Sequence, residues 1–333
     1  DGKVFNADKI AARIVFHEHS PDIYKPIRDV KSPPAHVLII GFNHFAQSLI
    51  LQMGFSAHFI NDVKTQVTVI DASIEQLKDQ FLSRFENIHK TIDLEMISER
   101  PECLTDELVA KFSNKESLSA IYLCHEDMTV QTLTLKRIKE IWNYKVETIV
   151  CQSDHVPVPD WVSLENKFHV VDPFSRACTY DMIVAEKIEK LAESFHNNWL
   201  KNERIEFREK LQKFDEDVSK GLGPEKPKPK PAMVDWSELA EEYKQSNRSQ
   251  ALHLSVKLRT LGLAYCEKDD ERPEAEYIDD PELINHMANM EHRRWNAHLY
   301  LTGWNFNKDR DDSLKLHDNL TEWDDLTDKI KQY

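Results

Sequence analysis

The apolar positions change period along the chain, and each change marks an element. Residues 6–19 carry Ile10, Ile14 and Val15 at helical spacing, which predicts a helix. Pro21, Pro26, Pro33 and Pro34 then read as an extended linker. From His36 onward, short apolar runs at 36–41, 66–71, 94–97, 118–124, 147–151 and 167–171 read as buried strands. Helical spacing occupies 44–59, 74–89, 105–112 and 127–142, and Asp127 is placed to cap the last of these. Strands alternating with helices predict an α/β, doubly wound, parallel sheet of Rossmann type over 35–173. A long helix is expected from about 180 past 210, then an extended Pro/Lys segment at 221–231, helices resuming at Trp236, an acidic linker over 267–281 and a final segment. The expected organisation is therefore a helix and linker at 1–34, the Rossmann-like domain at 35–173, and mainly α-helical units at 180–266 and 280–333.

The two helical units share a pattern. Ala192, His196 and Trp199 fall in the same register as Ala288, His292 and Trp295. Downstream, Trp236 is followed by Leu239 and Lys244, and Trp323 by Leu326 and Lys331, again in one register. Two blocks matching in one order indicate a duplicated supersecondary unit. The His-x-x-Trp spacing puts both rings on one helix face. That face has two readings: a histidine packed on a tryptophan in a core, or an aromatic shelf with a hydrogen-bonding imidazole at a ligand pocket. In the second reading Arg293 and Arg294 supply charge to copy two, and Arg248, Lys257 and Arg259 to copy one.

Composition narrows the chemistry. A formal charge of -15 repels a polyanion, so no nucleic-acid partner is expected. With only 7 glycines in 333 residues, glycine-rich phosphate loops and turn-dense all-β folds are disfavoured. Cys103, Cys124, Cys151, Cys178 and Cys266 form no CxxC pair, which fits a reducing compartment. The 15 histidines show no strong metal spacing, so no metal is expected. The acidic clusters at 269–271 and 309–312 lack the calcium-loop order and read as solvated charge. No nucleophile motif is present, so no catalytic residue is assigned. No run of 18 apolar residues exists.

After the first strand the chain reads Gly41, Phe42, Asn43, His44, Phe45, Ala46. Gly41 and Ala46 fit the first and third positions of a dinucleotide-binding turn, but Asn43 replaces the second glycine and would crowd a pyrophosphate. Asp71 ends the second strand, where an acid would bind ribose hydroxyls. The candidate cofactor set is thus Gly41, Asn43, His44, Ala46 and Asp71, for NAD or another nucleotide.

Residues 35–170 resemble the TrkA-N domain, the RCK-type Rossmann domain that regulates potassium channels and transporters. The match runs through 36–46, 67–71 and Ala120 to Cys124, leading to Asp127. Both helical units resemble the RyR domain, the ryanodine receptor repeat also found in bacterial proteins. In copy two the match comprises His292, Trp295, Leu301, Gly303, Trp304, Asp311, Asp312, His317, Leu320 and Trp323. Asp318 stands where the family has proline, and Trp323 where it has tyrosine. Copy one keeps Trp236, Leu239, Lys244 and Arg248, with its middle replaced by the Pro/Lys segment. The resemblances imply a ligand-sensing regulatory protein rather than an enzyme. They imply a small nucleotide-like ligand bound around His292, Arg293, Trp295, Trp304 and Trp323, and around His196, Trp199, Trp236 and Arg248. They also imply a cytoplasmic homodimer serving as the soluble part of an inner-membrane ion channel or transporter, its membrane segment upstream and the 6–19 helix as the connection. The alternatives are an NAD-dependent oxidoreductase and a non-catalytic scaffold that has lost its ligands.

Overall fold

A computed structural model describes the chain except for residues 1–5, 114–117, 144, 153–157, 164, 267–272, 276–277 and 332–333. The acidic run at 269–271, and much of the expected 267–281 linker, lie outside the described residues. The strands are β1 (His36–Ile40), β2 (Gln66–Ile70), β3 (Asp93–Ile97), β4 (Ala120–Leu123), β5 (Thr148–Cys151), β6 (Phe168–Val171), β7 (Asn305–Phe306) and β8 (Leu316–His317). The helices are α1 (Ala7–His19), α2 (Pro21–Tyr24), α3 (His44–Ser56), α4 (Ile74–Arg84), α5 (Asp106–Ser113), α6 (Met128–Trp142), α7 (Asp160–Ser163), α8 (Pro173–Ser219), α9 (Glu241–Thr260), α10 (Pro281–Leu301) and α11 (Asp328–Lys331).

The first six strands form one parallel sheet in the order β3-β2-β1-β4-β5-β6, the doubly wound arrangement. Successive side chains on a strand point to opposite faces, so each central strand feeds two cores. Val37, Ile39, Val67 and Val69 pack on one face with Leu49 and Met53 of α3 and with α1. Leu38, Ile40, Ile70, Leu123 and Val150 pack on the other with Leu135 and Ile138 of α6, Leu108 of α5 and Val162 of α7. Burial on both sides explains why these strands read as unbroken apolar runs rather than alternations.

Three features depart from the sequence reading. First, α1 is core, not a free linker helix: Ala11, Ala12, Val15 and Phe16 are buried on the same face as α3. Second, the proline-marked stretch after it contains α2, and its buried Asp22 carries an ion pair to Arg259 at 2.6 Å. Proline at the first helical position costs no hydrogen bond, so Pro21 starts a helix instead of preventing one. Third, the boundaries at 173 and 280 do not separate compact units. The long helix begins at Pro173, and the chain divides into Asp1–Asp181 with His253–Tyr333, and Met182–Leu252. In the first unit α10 lies against α3, where Gly54 leaves room: a Cβ there would meet Leu301 at 3.1 Å and Ile88 at 2.9 Å. Met290 and Val256 join the core of that face.

Candidate functional site

At the carboxyl ends of β1 and β4, where the strand order reverses, a doubly wound sheet offers its crevice. Gly41 turns there with φ of 106°, and a Cβ on it would sit 3.0 Å from the Cys124 carbonyl carbon and the His125 nitrogen, both backbone. Gly41→Ala is therefore expected to cost about 1–3 kcal/mol, from the strained φ and the clash together. Urea denaturation checks this, and a loss under about 0.5 kcal/mol would show that the two strand ends can part.

Asn43 caps α3: its Oδ1 accepts from the Ala46 N–H at 2.9 Å. Its Nδ2 donates to the Cys124 carbonyl at 2.8 Å and to Glu126 Oε1 at 3.0 Å. The side chain thus staples β1 to β4 across the mouth of the crevice. Asp71, 8% exposed, accepts from the Phe42 N–H at 3.1 Å and from the N–H and hydroxyl of Ser73 at 2.7 and 2.5 Å. These three bonds tie Asp71 to the turns that follow β1 and β2. Ala46 is fully buried and His44 is exposed.

The repeat is a repeat in space as well as in sequence. In the unit Met182–Leu252, His196 Nε2 donates to the Val234 carbonyl at 2.8 Å. Its ring lies 5.6 Å from Trp199 and 5.8 Å from Trp236. In copy two His292 Nε2 donates to the Thr321 carbonyl at 2.8 Å, and its ring lies 5.7 Å from Trp295 and 5.8 Å from Trp323. Each tryptophan that follows the bonded carbonyl opens a short 3-10 turn, preceded by backbone angles of -69° and 156° at Asp235 and -68° and 155° at Glu322. Each is capped by the matching lysine, Lys244 at 5.7 Å and Lys331 at 5.6 Å from the ring centroid. The imidazole is the clamp: it spends its donor on the loop backbone while its ring lies between two indoles, stacked on Trp295 at 27° and tilted by 35–55° in the other three pairs.

The far ends of the stacks differ. In copy one Lys230, from the Pro/Lys segment, lies 5.9 Å over Trp199 and pairs with the buried Glu203 at 2.5 Å. In copy two His317 meets Trp295 edge-on at 4.9 Å, lies 6.0 Å from Trp304, and accepts from Arg310 at 3.2 Å. Burial, and then Arg310, holds the His317 pKa down to about 4. Burial likewise lowers that of His292. Both imidazoles are therefore neutral at pH 7. The 221–231 segment, read in sequence as an interruption of copy one, delivers the cation that completes its stack. Lys230 and Asn296, the latter donating to the Thr321 carbonyl at 2.8 Å, had no motif to mark them, whereas His317 belonged to the copy-two match.

Two residues expected at the ligand pocket, Arg293 and Arg248, are placed elsewhere, and a third, Trp304, adjoins the cluster only from the core. Arg293 follows His292 by one residue, about 100° around the helix, and so leaves the stack. It donates to the Phe59 carbonyl and pairs with Asp62 at 3.0 Å. Arg248 is held by Glu189 and Glu241, each at 2.6 Å, rather than standing free for a phosphate. Trp304 is a core residue packed with Leu299 and Leu320.

A buried polar layer, unmarked in the sequence, lies in the first unit among α3, α9 and α10. Arg294, 2% exposed, pairs with Glu291 at 2.9 Å, and Glu291 also pairs with Lys257 at 2.7 Å. His58 contacts the Gly54 carbonyl at 2.9 Å, and His253 contacts the His58 carbonyl at 3.0 Å. His298 packs on Phe55. Burial, then Arg293, brings the His58 pKa to about 3; burial, then Arg294, does the same for His298; burial, then Lys257, holds His253 well below 6.5. Burial pushes the Glu291 carboxyl up, but Arg294, Lys257 and His253 outweigh it and bring it to about 2. Among the described residues no group of three or more His, Cys, Asp or Glu is placed to hold a metal ion, and no helix is long and apolar enough to cross a membrane.

Searched against family models, curated proteins and solved structures, the chain matches none of them.

Proposed function

We propose that this chain is a ligand-sensing regulatory protein, the cytosolic part of a potassium-type channel or transporter. In this reading a TrkA-N-like sheet is the scaffold and two RyR-like units carry the sensors. The observation that carries it is the twice-built Trp-His-Trp stack, with matching distances and a lysine at the outer tryptophan in each copy. Trp295 and Trp323 are half-buried, and so leave indole surface for a planar ligand. An aromatic face beside a lysine suits a nucleotide-like molecule: the base stacks on the indole and the phosphate takes the ammonium. Binding in one of two domain arrangements shifts their populations, and that shift acts on the membrane partner. A second copy of the chain is the proposed assembly partner, by analogy with TrkA-N domains. The bonds of Asn43 and Asp71 support a closed, structural turn at Gly41, with the nucleotide at the stack rather than NAD in the crevice.

Thermal unfolding of the full chain against ATP, ADP, cyclic AMP and NAD tests this. One of the mononucleotides is expected to stabilise the protein, by about 2.7 kcal/mol at a hundredfold excess over its Kd. Trp323→Ala should abolish that shift, and NAD should raise the midpoint of Asn43→Gly but not that of the unaltered chain. Flat midpoints throughout would favour a scaffold, and a shift with NAD alone that survives Trp323→Ala would move the site to the sheet.

A further inference from the structure

Cys124 and Cys151 share no sequence motif, yet the sheet sets them side by side. The parallel register of β4 and β5 pairs Tyr122 with Ile149 and Leu123 with Val150, so its next step pairs Cys124 with Cys151. Side chains alternate along a strand, and both cysteines lie in the core on the face of Tyr122 and Ile149. Their thiols are hydrogen-bonded to each other. Neighbouring strands run about 4.8 Å apart, within the Cα separations that a disulfide spans.

The pair stands at the carboxyl ends of its strands, beside the crevice. The Cys124 N–H donates to the Ile40 carbonyl at 2.8 Å, and the Cys124 carbonyl accepts from Asn43 Nδ2 at 2.8 Å. Cys151 ends β5, and the Gln152 N–H beyond it donates to the Val171 carbonyl at 3.0 Å. Cys124 and Cys151 are 2% and 5% exposed. A single cysteine so placed is a small apolar core residue. Two in contact have a further chemistry: they can close to a disulfide with little movement of the backbone. Strand ends are also where a sheet opens locally at least cost, which gives an oxidant access.

We propose that Cys124 and Cys151 form a reversible intramolecular disulfide, a redox modification site at the mouth of the crevice. The oxidant is a small disulfide such as oxidised glutathione. Burial holds the Cys124 thiol protonated, so Cys151 attacks first. Its thiolate breaks the glutathione S–S bond, forms a mixed disulfide and releases one glutathione thiolate. The Cys124 sulfur, on losing its proton, then displaces the second glutathione and closes the protein disulfide. Two protein thiols are oxidised, one glutathione disulfide is reduced to two thiols, and the two protons pass to the leaving thiolates. The β ladder holds both strands in place against the new bond, which keeps it reducible, as a regulatory rather than a structural disulfide is. The link joins β5 to the residue that Asn43 staples to β1, so oxidation stiffens the turn at Gly41. It does not depend on a ligand at either stack.

The test incubates the full, unaltered chain with excess oxidised glutathione, quenches with acid, alkylates the remaining thiols in denaturant and maps the tryptic peptides by mass spectrometry without reduction. Residues 116–136 hold Cys124 and residues 146–167 hold Cys151. The two alkylated peptides are expected to be lost together and to appear as one joined pair, which dithiothreitol separates. In Cys151→Ser the 116–136 peptide should stay alkylated. Retention of both alkylated peptides in the unaltered chain overturns the proposal. So do glutathione adducts without the joined pair, since the partner thiol would then be out of reach. A joined pair that forms only in urea also overturns it, because the native sheet would not be what brings the sulfurs together. An equal loss of the alkylated 116–136 peptide in Cys151→Ser would break the pairing of these two residues.

Discussion

Glu291→Gln is expected to cost the first unit about 2–3 kcal/mol, below the range for a fully buried ion pair, because Glu291 and Lys257 keep 25% and 18% of their side-chain surface exposed. The substitution keeps the shape of the side chain and deletes its charge. Arg294, 2% exposed, and Lys257 would then share the site without the carboxylate that pairs with both. The Arg294 guanidinium cannot move to water without opening the packing of α10 on α3, because Met290 and Gly54 are tied into the same core. The measurement is the urea midpoint of the full chain, followed by circular dichroism. The double variant Glu291→Gln with Arg294→Met should recover part of the loss, since it removes the stranded guanidinium as well. A single-variant loss under about 1 kcal/mol would mean that solvent already screens the pair, as it does at a surface.

The second large effect is a steep loss of stability on mild acidification. His58, His253 and His298 are held neutral in the folded state, with His58 and His298 near 3. Each has an ordinary pKa of 6.5 once unfolded. Below that value the unfolded chain binds protons that the folded chain refuses, so stability is whole above pH 6.5 and falls as pH drops toward the folded values. Each histidine contributes a slope of about 1.4 kcal/mol per pH unit in that window, so the three together remove about 4 kcal/mol by pH 5.5. The groups facing them reinforce the sign. Arg293, Arg294 and Lys257 oppose a further positive charge, and Glu291 and Asp62 do not outnumber them. Glu291, near 2 when folded and 4.5 otherwise, adds its own loss as pH falls through that lower range. Urea titrations at pH 7.5, 6.5 and 5.5 give the slope, and His58→Gln and His298→Gln should each reduce it by about a third. An unchanged slope in both variants would place the acid sensitivity elsewhere.

Much of the sheet was legible because its signal is local. A five-residue run rich in apolar and β-branched side chains, such as His36–Ile40 or Gln66–Ile70, needs only its own composition to announce a buried strand. Asp127 caps α6 as expected because a cap is satisfied within three residues, here by the Val130 N–H at 3.0 Å. The repeat was legible for the same reason. His196 and Trp199, like His292 and Trp295, share a face by helical geometry alone. The bond from each imidazole to a carbonyl about 30 or more residues away was not, because nothing local specifies where a loop returns.

Arg293 shows the limit. Its neighbour His292 made it a natural pocket residue, yet one step along a helix turns the side chain to another surface, and what lies there is a tertiary fact. The proline-marked stretch around Asp22 could not reveal that Arg259, 237 residues away, would bury its carboxylate. The histidines of the polar layer carry no periodic signal either. Their neutrality follows from burial, and burial there is created by α10 meeting α3. By itself the sequence determined the six sheet strands, the main helices between them and the doubly wound sheet, and it showed two segments matching in register, since period, caps and register are properties of neighbouring residues. Only the tertiary structure decided which charges are buried together and that Asn43 and Asp71 hold the turn at Gly41, because each depends on segments distant in the chain packing at one place.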